Sequence, residues 1–427
     1  MLDPKWVRDH ADVVREAARK KRFDPALVDA YIEADRAWRE VLTRVEEQRG
    51  ELKAASKALG KISPEEREGA LAVQRAAKEA MKRDEARESE LRAEVQALAM
   101  RLPMPPADEV PEGKDDQDNV ELETVGEPPA FDFEPKSHDE LGQELGIIDI
   151  PRGVKLAGTR NYLLLGDAAR LERAVLQFAL DHMLARGFEM VAVPTLVNRA
   201  CMEGTGYFPG GEEQAYLAER DDLSLVGTAE VPLTSIHSGE TLAADELPLR
   251  RVALSPCYRR EAGTYGKDTK GLYRVHQFWK VEQVVVGPAD EAWSREEHER
   301  MLAHATDLMQ ALELPYRVVN VCGGDLGQGQ VQKFDIETWM PSRGAYGETH
   351  SASRFHDFQS RRLDLRYRPG GGEKPRFCHT LNNTVIASPR VLISLLEVHQ
   401  RADGSVHVPE VLRPYMGGQE RIGPAGA

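Results

Sequence analysis

The chain has 427 residues, 41% of them hydrophobic and 30% charged, which is enough for two or three domains and a large core. Its net charge of −15 excludes indiscriminate nucleic-acid binding, since most of the surface repels a phosphate backbone, but allows a local basic patch. No apolar run reaches bilayer length, the N-terminus lacks a basic-then-apolar signal, and Cys201, Cys257, Cys322 and Cys378 form no CxxC pair, so a cytoplasmic protein without membrane association, disulfides or zinc is expected.

Residues 26–102 read as two long helices. Tyr31, Trp38, Val45, Leu52 and Leu59 recur every seven residues in the first, forming a seam for one helical partner. Gly60 and Lys61 interrupt the pattern. Ser63-Pro64-Glu65-Glu66 then has the composition of a capping-box helix start. Ala70, Ala77, Leu91 and Leu98 keep the spacing in the second helix, with Asp84 breaking it. Two such helices joined by a tight turn predict an antiparallel coiled-coil arm. A spacer or dimerisation element is the bland use of such an arm, but its charge is uneven. Between residues 49 and 83, nine basic residues face five acidic ones, a net +4 in an acidic chain. A basic tip, with Lys53, Lys57, Lys61, Arg75, Lys78 and Lys82, suits an extended polyanion; a solvated helical face competes with that reading.

Pro103, Pro105, Pro106 and Pro111, followed by Asp115, Asp116 and Asp118, mark a linker over 103–120 between an N-terminal domain (1–102) and a second domain (121–427). In the second domain helical patterns (168–186, 291–312) alternate with β-rich runs (190–193, 251–254, 277–286, 316–321). This predicts an α+β fold with a largely antiparallel sheet flanked by helices. Neither GxGxxG nor GxxxxGK[ST] is present. Any nucleotide is therefore held by neither a Rossmann fold nor a P-loop.

The most informative stretch runs from Ser255 to Val286. Residues 251–261 and 272–286 read as two strands joined by a long polar tip. Strand alternation then puts Arg259 with Glu261 on one face, and Arg274, His276, Phe278, Lys280 and Glu282 on one face of the partner. A charged row broken by one aromatic suits a site that clamps phosphate, stacks a ring and orients a cationic ligand. Further on, residues 381–387 read as a strand and Val391, Leu392, Leu395 and Leu396 as one helix face. That places Arg390 at a helix N-terminus, where the dipole disfavours a cation unless an anion is bound. Singly, each residue has an ordinary explanation, such as a surface ion pair or a core aromatic. Their joint order outweighs those.

At these residues the chain resembles the class II aminoacyl-tRNA synthetases. Gly187-Phe188 with Pro194, Tyr258-Arg259-Arg260-Glu261 through Phe278 and Glu282, and Ala387-Ser388-Pro389-Arg390 look like the three signatures. Gly227-Thr228-Ala229-Glu230, Glu261-Ala262-Gly263-Thr264-Tyr265-Gly266, Arg274-Val275-His276-Gln277-Phe278 and Pro409 through Met416 narrow the resemblance to the seryl-tRNA synthetases, bacterial type, as does the two-helix arm. The similarity covers essentially the whole chain.

The resemblance implies activation of L-serine by ATP and transfer to tRNA(Ser), with tRNA(Sec) a further expected partner, by a homodimer using Mg2+. It implies that Arg259 holds the α-phosphate and the serine carboxylate, and that Glu261 and Arg274 meet the adenine and γ-phosphate. Phe278 and Arg390 would sandwich the adenine. Glu348 and Ser351 would hold magnesium, a hard ion that prefers oxygen. Thr228 and Glu230 would face the serine amino group, and Glu282 and Thr384 its hydroxyl. The family pattern Asn-Gly-Ser is Asn382-Asn383-Thr384 here, and its Gly-Arg pair is Pro389-Arg390. Two other readings compete: a non-catalytic paralogue, which should lack Arg259, Glu261, Glu348 or Arg390, and a ligase for another carrier, which should lack the basic arm.

Overall fold

The computed structural model describes residues 1–59, 63–263 and 270–423, which form two compact units, Met1–Pro105 and Pro106–Ala427. In the first, short helices α1 (Pro4–Asp9) and α2 (Ala11–Lys20) precede the long helices α3 (Ala26–Ala58) and α4 (Pro64–Ala99). Contacts between α3 and α4 run in opposite senses along the two helices. Trp38 Nε1 donates to Glu88 (2.8 Å), Gln48 to Asp84 (2.7 Å), and Gln74 Nε2 to Ser56 (2.6 Å), so the pair is antiparallel. Its base is apolar: Val7, Val14, Val28, Tyr31, Ala99 and Leu102 form one cluster, and Val41, Val45 and Leu91 the next layer.

Toward the tip the seam departs from the seven-residue expectation. Ala77 is exposed and Gln74 is buried in its stead, because an alanine methyl covers little surface and a longer side chain can reach across. Ser63 does precede the first residue of α4. It does not form the expected capping box, since its hydroxyl oxygen accepts from no helix N–H and its proton goes to the Glu66 carboxylate (3.0 Å).

The second unit is built on eight strands: β1 (Val120–Val125), β2 (Glu189–Met190), β3 (Leu249–Tyr258), β4 (Gln277–Gly287), β5 (Tyr316–Asn320), β6 (Gln332–Met340), β7 (Ala345–Arg354) and β8 (His379–Ala387). Their spatial order is β1-β5-β6-β7-β8-β4-β3-β2, antiparallel except for the β2–β3 pair. Helices α5 (Gly166–Leu184), α6 (Glu230–Ser235), α7 (Glu291–Ala311), α8 (Phe358–Leu363) and α9 (Ser388–Val398) surround it. Leu171 and Val175 of α5, Met301 and Leu308 of α7, and Leu392 and Leu396 of α9 bury one sheet face with Val281, Val285, Ile336, Leu381 and Val385. Each such side chain contributes about 1.5–3 kcal/mol by leaving water. Alternation along β4 then turns Phe278, Lys280 and Glu282 to the opposite face. The segment read as a linker is tied into this unit from Ala107, whose amide donates to the Val331 carbonyl (2.9 Å), while Gly323 donates to Pro111 (2.8 Å).

Candidate active site

The β3–β4 hairpin carries the first group of site residues. Its ladder ends at the Tyr258–Gln277 pair. One step further the Arg259 amide donates to the His276 carbonyl (2.9 Å), and His276 Nδ1 lies 3.0 Å from the Arg259 carbonyl. This corrects the expectation that strands reach Glu261 and begin at Leu272. Glu261 has φ +52°, a left-handed turn no strand contains, and residues 271–276 are irregular. Tertiary placement, and not strand parity, brings Glu261 toward Arg274, whose Nη1 lies 3.4 Å from its carboxylate. Thr264, Tyr265 and Gly266 of the motif fall outside the described residues.

Arg259, Glu261, Arg274, Phe278, Glu348 and Arg390 line one cavity. The Arg259 guanidinium lies 5.3 Å from the Phe278 ring centroid, and its Nε is 3.4 Å from the Gly227 carbonyl. Arg390, the third residue of α9, donates through Nη1 to the Glu348 carbonyl (2.7 Å) and lies 3.3 Å from the Glu348 carboxylate. Burial pushes the Glu348 pKa up, but the charges of Arg390 and Lys333 outweigh it and hold the carboxyl below its usual range. Three guanidinium groups, two carboxylates and the flat rings of Phe278 and Tyr273 are the chemistry of a nucleotide polyphosphate site.

A second cavity is lined by Glu230, Ser351, Tyr207 and Asn382, and again by Arg259. Glu230 accepts from Tyr207 (2.9 Å) and Gln359 (2.8 Å). Burial, then the nearby charge of Glu282, push its pKa up to about 7 despite those hydrogen bonds. Thr228, Glu282 and Thr384 line neither cavity; they are buried beneath the site face. Thr228 donates to Glu282 (3.1 Å), and Glu282 faces Thr384 in the β4–β8 register. Lys280, buried, is ion-paired with Glu282.

The residues around Glu348 suit a hard cation. Glu348 and Ser351 line different cavities, and between their strands the buried Asp335 Oδ1, opposite Ser351 in the β6–β7 register, has no hydrogen-bond partner. Burial raises the Asp335 pKa to about 7, against the opposing charge of Lys333. Among the described residues no group of three or more His, Cys, Asp or Glu side chains is arranged to hold a metal alone. An ion brought in by a polyphosphate fits better than one caged by protein.

Tyr207, Gln359 and Asp335 were not legible as site residues, because they approach from distant segments, and Tyr273, next to Arg274, lies in an irregular segment where strand alternation does not report which side chains face the cavity. Lys280 was legible in part, since it lies in the alternating row of β4. In the first unit Lys53, Lys57, Arg75, Lys78 and Lys82 are all exposed on the arm, while Lys61 lies outside the described residues.

Residues 216–399 match the family model "tRNA synthetase class II core domain (G, H, P, S and T)", and residues 1–106 match "Seryl-tRNA synthetase N-terminal domain". The chain is 48% identical to the serine–tRNA ligase of Deinococcus radiodurans over 99% of each chain. It is 46% identical to that of Thermotoga petrophila over 98% of this chain and 99% of that one. The crystal structure of seryl-tRNA synthetase from Pyrococcus horikoshii complexed with ATP superposes with a TM-score of 0.94 at 38% identity, covering 100% of both chains. On fold, site and full-length similarity together, the chain belongs to the seryl-tRNA synthetase family.

Proposed function

We propose that the protein activates L-serine with ATP to seryl-adenylate and transfers serine to the 3′ end of tRNA(Ser), and of tRNA(Sec) where one exists. The observation that carries this reading is the convergence of Arg259, Glu261, Arg274, Phe278, Glu348 and Arg390 on one cavity that shares Arg259 with the Glu230 cavity. Arg259, Glu261, Glu348 and Arg390, of which a non-catalytic paralogue should lack at least one, are all present, and so is the arm that a ligase for another carrier should lack.

Serine enters with its ammonium toward Glu230 and Thr228, its carboxylate toward Arg259 and its hydroxyl toward Glu282 and Thr384. Phe278 stacks the adenine, Arg390 covers its other side and reaches the phosphates, Glu261 meets the base, and Arg274 meets the γ-phosphate. The serine carboxylate attacks the α-phosphorus in line and diphosphate leaves. The terminal ribose hydroxyl of the tRNA then attacks the activated carbonyl, and AMP leaves. Neither step needs a protein nucleophile. Rate comes from positioning and from the fixed charges of Arg259 and Arg390. Magnesium held by Glu348 and Ser351 would neutralise phosphate charge. Lys280 and Thr228 hold the Glu282 carboxylate in place to accept from the serine hydroxyl, and alanine, without a hydroxyl, forfeits that hydrogen bond.

The exposed lysines and arginines of α3 and α4 serve the tRNA, and the protein works in the cytoplasm as a homodimer. The test is serine-dependent ATP–diphosphate exchange followed by charging of tRNA(Ser). Absence of exchange with any amino acid overturns the reading. Exchange without charging favours another carrier.

A further inference from the structure

Glu230 lines the amino-acid cavity with a donor on each of its carboxylate oxygens. Tyr207 Oη donates to Oε2 (2.9 Å) and Gln359 Nε2 to Oε1 (2.8 Å). Tyr207 lines the same cavity. Gln359, on α8, is buried and lines neither cavity, so any part it plays in binding must pass through Glu230.

The Gln359 amide has a single sensible orientation. Nε2 also donates to the Thr205 carbonyl (3.1 Å), and Oε1 accepts from the buried Thr380 hydroxyl of β8 (2.6 Å). Both N–H groups are thus used. A flipped amide would set its oxygen against a carbonyl, which cannot donate, and against a carboxylate. Helix α8 also seats the other donor. Arg362 Nη1 donates to the Glu203 (2.8 Å) and Phe208 (3.0 Å) carbonyls, on either side of Tyr207 in the chain. Phe358 packs where Gly206 and Gly329 line the cavity: a Cβ at Gly206 would meet its Cε1 at 3.2 Å, and one at Gly329 would overlap the ring. One short helix therefore carries one donor to Glu230 and braces the segment that carries the other.

A carboxylate binds an ammonium group well only when it is ionised and already turned toward it. Burial and the charge of Glu282 oppose ionisation of Glu230, and the hydrogen bonds from Gln359 and Tyr207 favour it. Each donor takes one lone pair on its own oxygen, which fixes the rotation of the carboxylate and leaves the other lone pairs for a ligand. The ordering is done before the ligand arrives, so it is not charged against binding.

We propose that Gln359 is a positioning residue for the amino acid: its fixed amide holds the Glu230 carboxylate toward the α-ammonium group, and so favours an α-amino acid over the same acid without its amine. This rests on the Glu230 cavity being the serine site. The experiment is serine-dependent ATP–diphosphate exchange with the full-length protein, with KM for serine and KM for ATP each measured while the other is saturating. Inhibition by 3-hydroxypropanoate, which is serine without its amine, is measured alongside. Gln359→Met, close in shape and unable to donate, should raise KM for serine about tenfold, the worth of one hydrogen bond to a charged group, with kcat and KM for ATP within about twofold of the parent. Inhibition by 3-hydroxypropanoate should stay unchanged, because that acid has no ammonium group for Glu230 to meet. An unchanged KM for ATP also shows that the site is folded. Gln359→Asn, whose amide is one methylene short of Glu230, should give the same pattern and takes the place of the methionine variant if that one does not fold. An unchanged KM for serine, a fall in kcat alone, or equal weakening of serine and 3-hydroxypropanoate overturns the proposal. Failure of the serine-site reading is distinct from these, since it would appear in the parent chain as exchange that does not depend on serine.

Discussion

Arg259 is the one side chain among the described residues that lines both cavities, so its charge serves the nucleotide and the amino acid together. Replacing it with alanine should leave the fold intact, because it extends from the end of β3 and not from the core, and should lower serine-dependent exchange by about a thousandfold. Retention of more than a tenth of the parent rate would remove it from the reaction. Glu230 makes a different demand, because its pKa is raised to about 7 by burial and by Glu282. A carboxyl whose folded pKa lies above its unfolded one holds its proton more tightly in the fold. Its stabilising contribution is full below the unfolded value, near 4.5, and is lost as pH rises toward 7. Glu230→Gln stays neutral throughout. Its stability relative to the parent, without ligand, should therefore grow between pH 5 and 8, by at most about 3 kcal/mol, while its KM for serine rises. A stability difference that is flat with pH, read from denaturation midpoints, would contradict this. At this scale the residue types were readable from sequence, since charge beside an aromatic is unusual on a strand. Glu261 lines the cavity, but its left-handed backbone, and not the strand alternation expected of it, brings it there.

Elements were easier to read where hydrophobic period and length agree. Helix α3 spans the heptads that announced it, and β4 spans the run 277–286 that alternation marked out. Reading was poorer where side chains from elsewhere decide. The tip of the α3–α4 seam relies on Gln74, Ser56, Gln48 and Asp84, and no apolar period reports hydrogen bonds between helices. The same helices support a prediction about division of labour. The first unit has its own apolar base, and the layer of Val41, Val45 and Leu91 closes it partway along the arm. Replacing residues 47–85 by a short glycine-containing turn therefore removes the basic surface and leaves both apolar layers. Exchange should stay within about twofold of the parent, whereas charging of tRNA(Ser) should fall by at least a hundredfold, because the lost phosphate contacts carry much of the affinity. An equal fall in both steps would mean that the arm supports the fold of the site and not the tRNA.

The whole molecule poses the question of whose site each arm serves. A chain carrying −15 charges must concentrate its attraction for tRNA locally, and the +4 stretch between residues 49 and 83 is where the sequence concentrates it. If the protein is a homodimer in which the arm of one subunit holds tRNA at the active site of the other, two differently damaged subunits should complement each other. One subunit carries Arg259→Ala with an intact arm, and the other lacks residues 47–85 with an intact site. Each homodimer is inactive in charging, the first for want of activation and the second for want of a grip on tRNA. In the heterodimer, purified through two different affinity tags, the intact arm and the intact site lie on different chains. Service across the dimer predicts charging at about half the parent rate, since one of two sites is complete. Service within a subunit predicts none, because neither chain carries both parts. Exchange, which needs no arm, should reach about half the parent rate in the heterodimer under either arrangement and so reports that the intact site has assembled. A heterodimer that exchanges at that rate but does not charge would therefore exclude cross-subunit use of the arm.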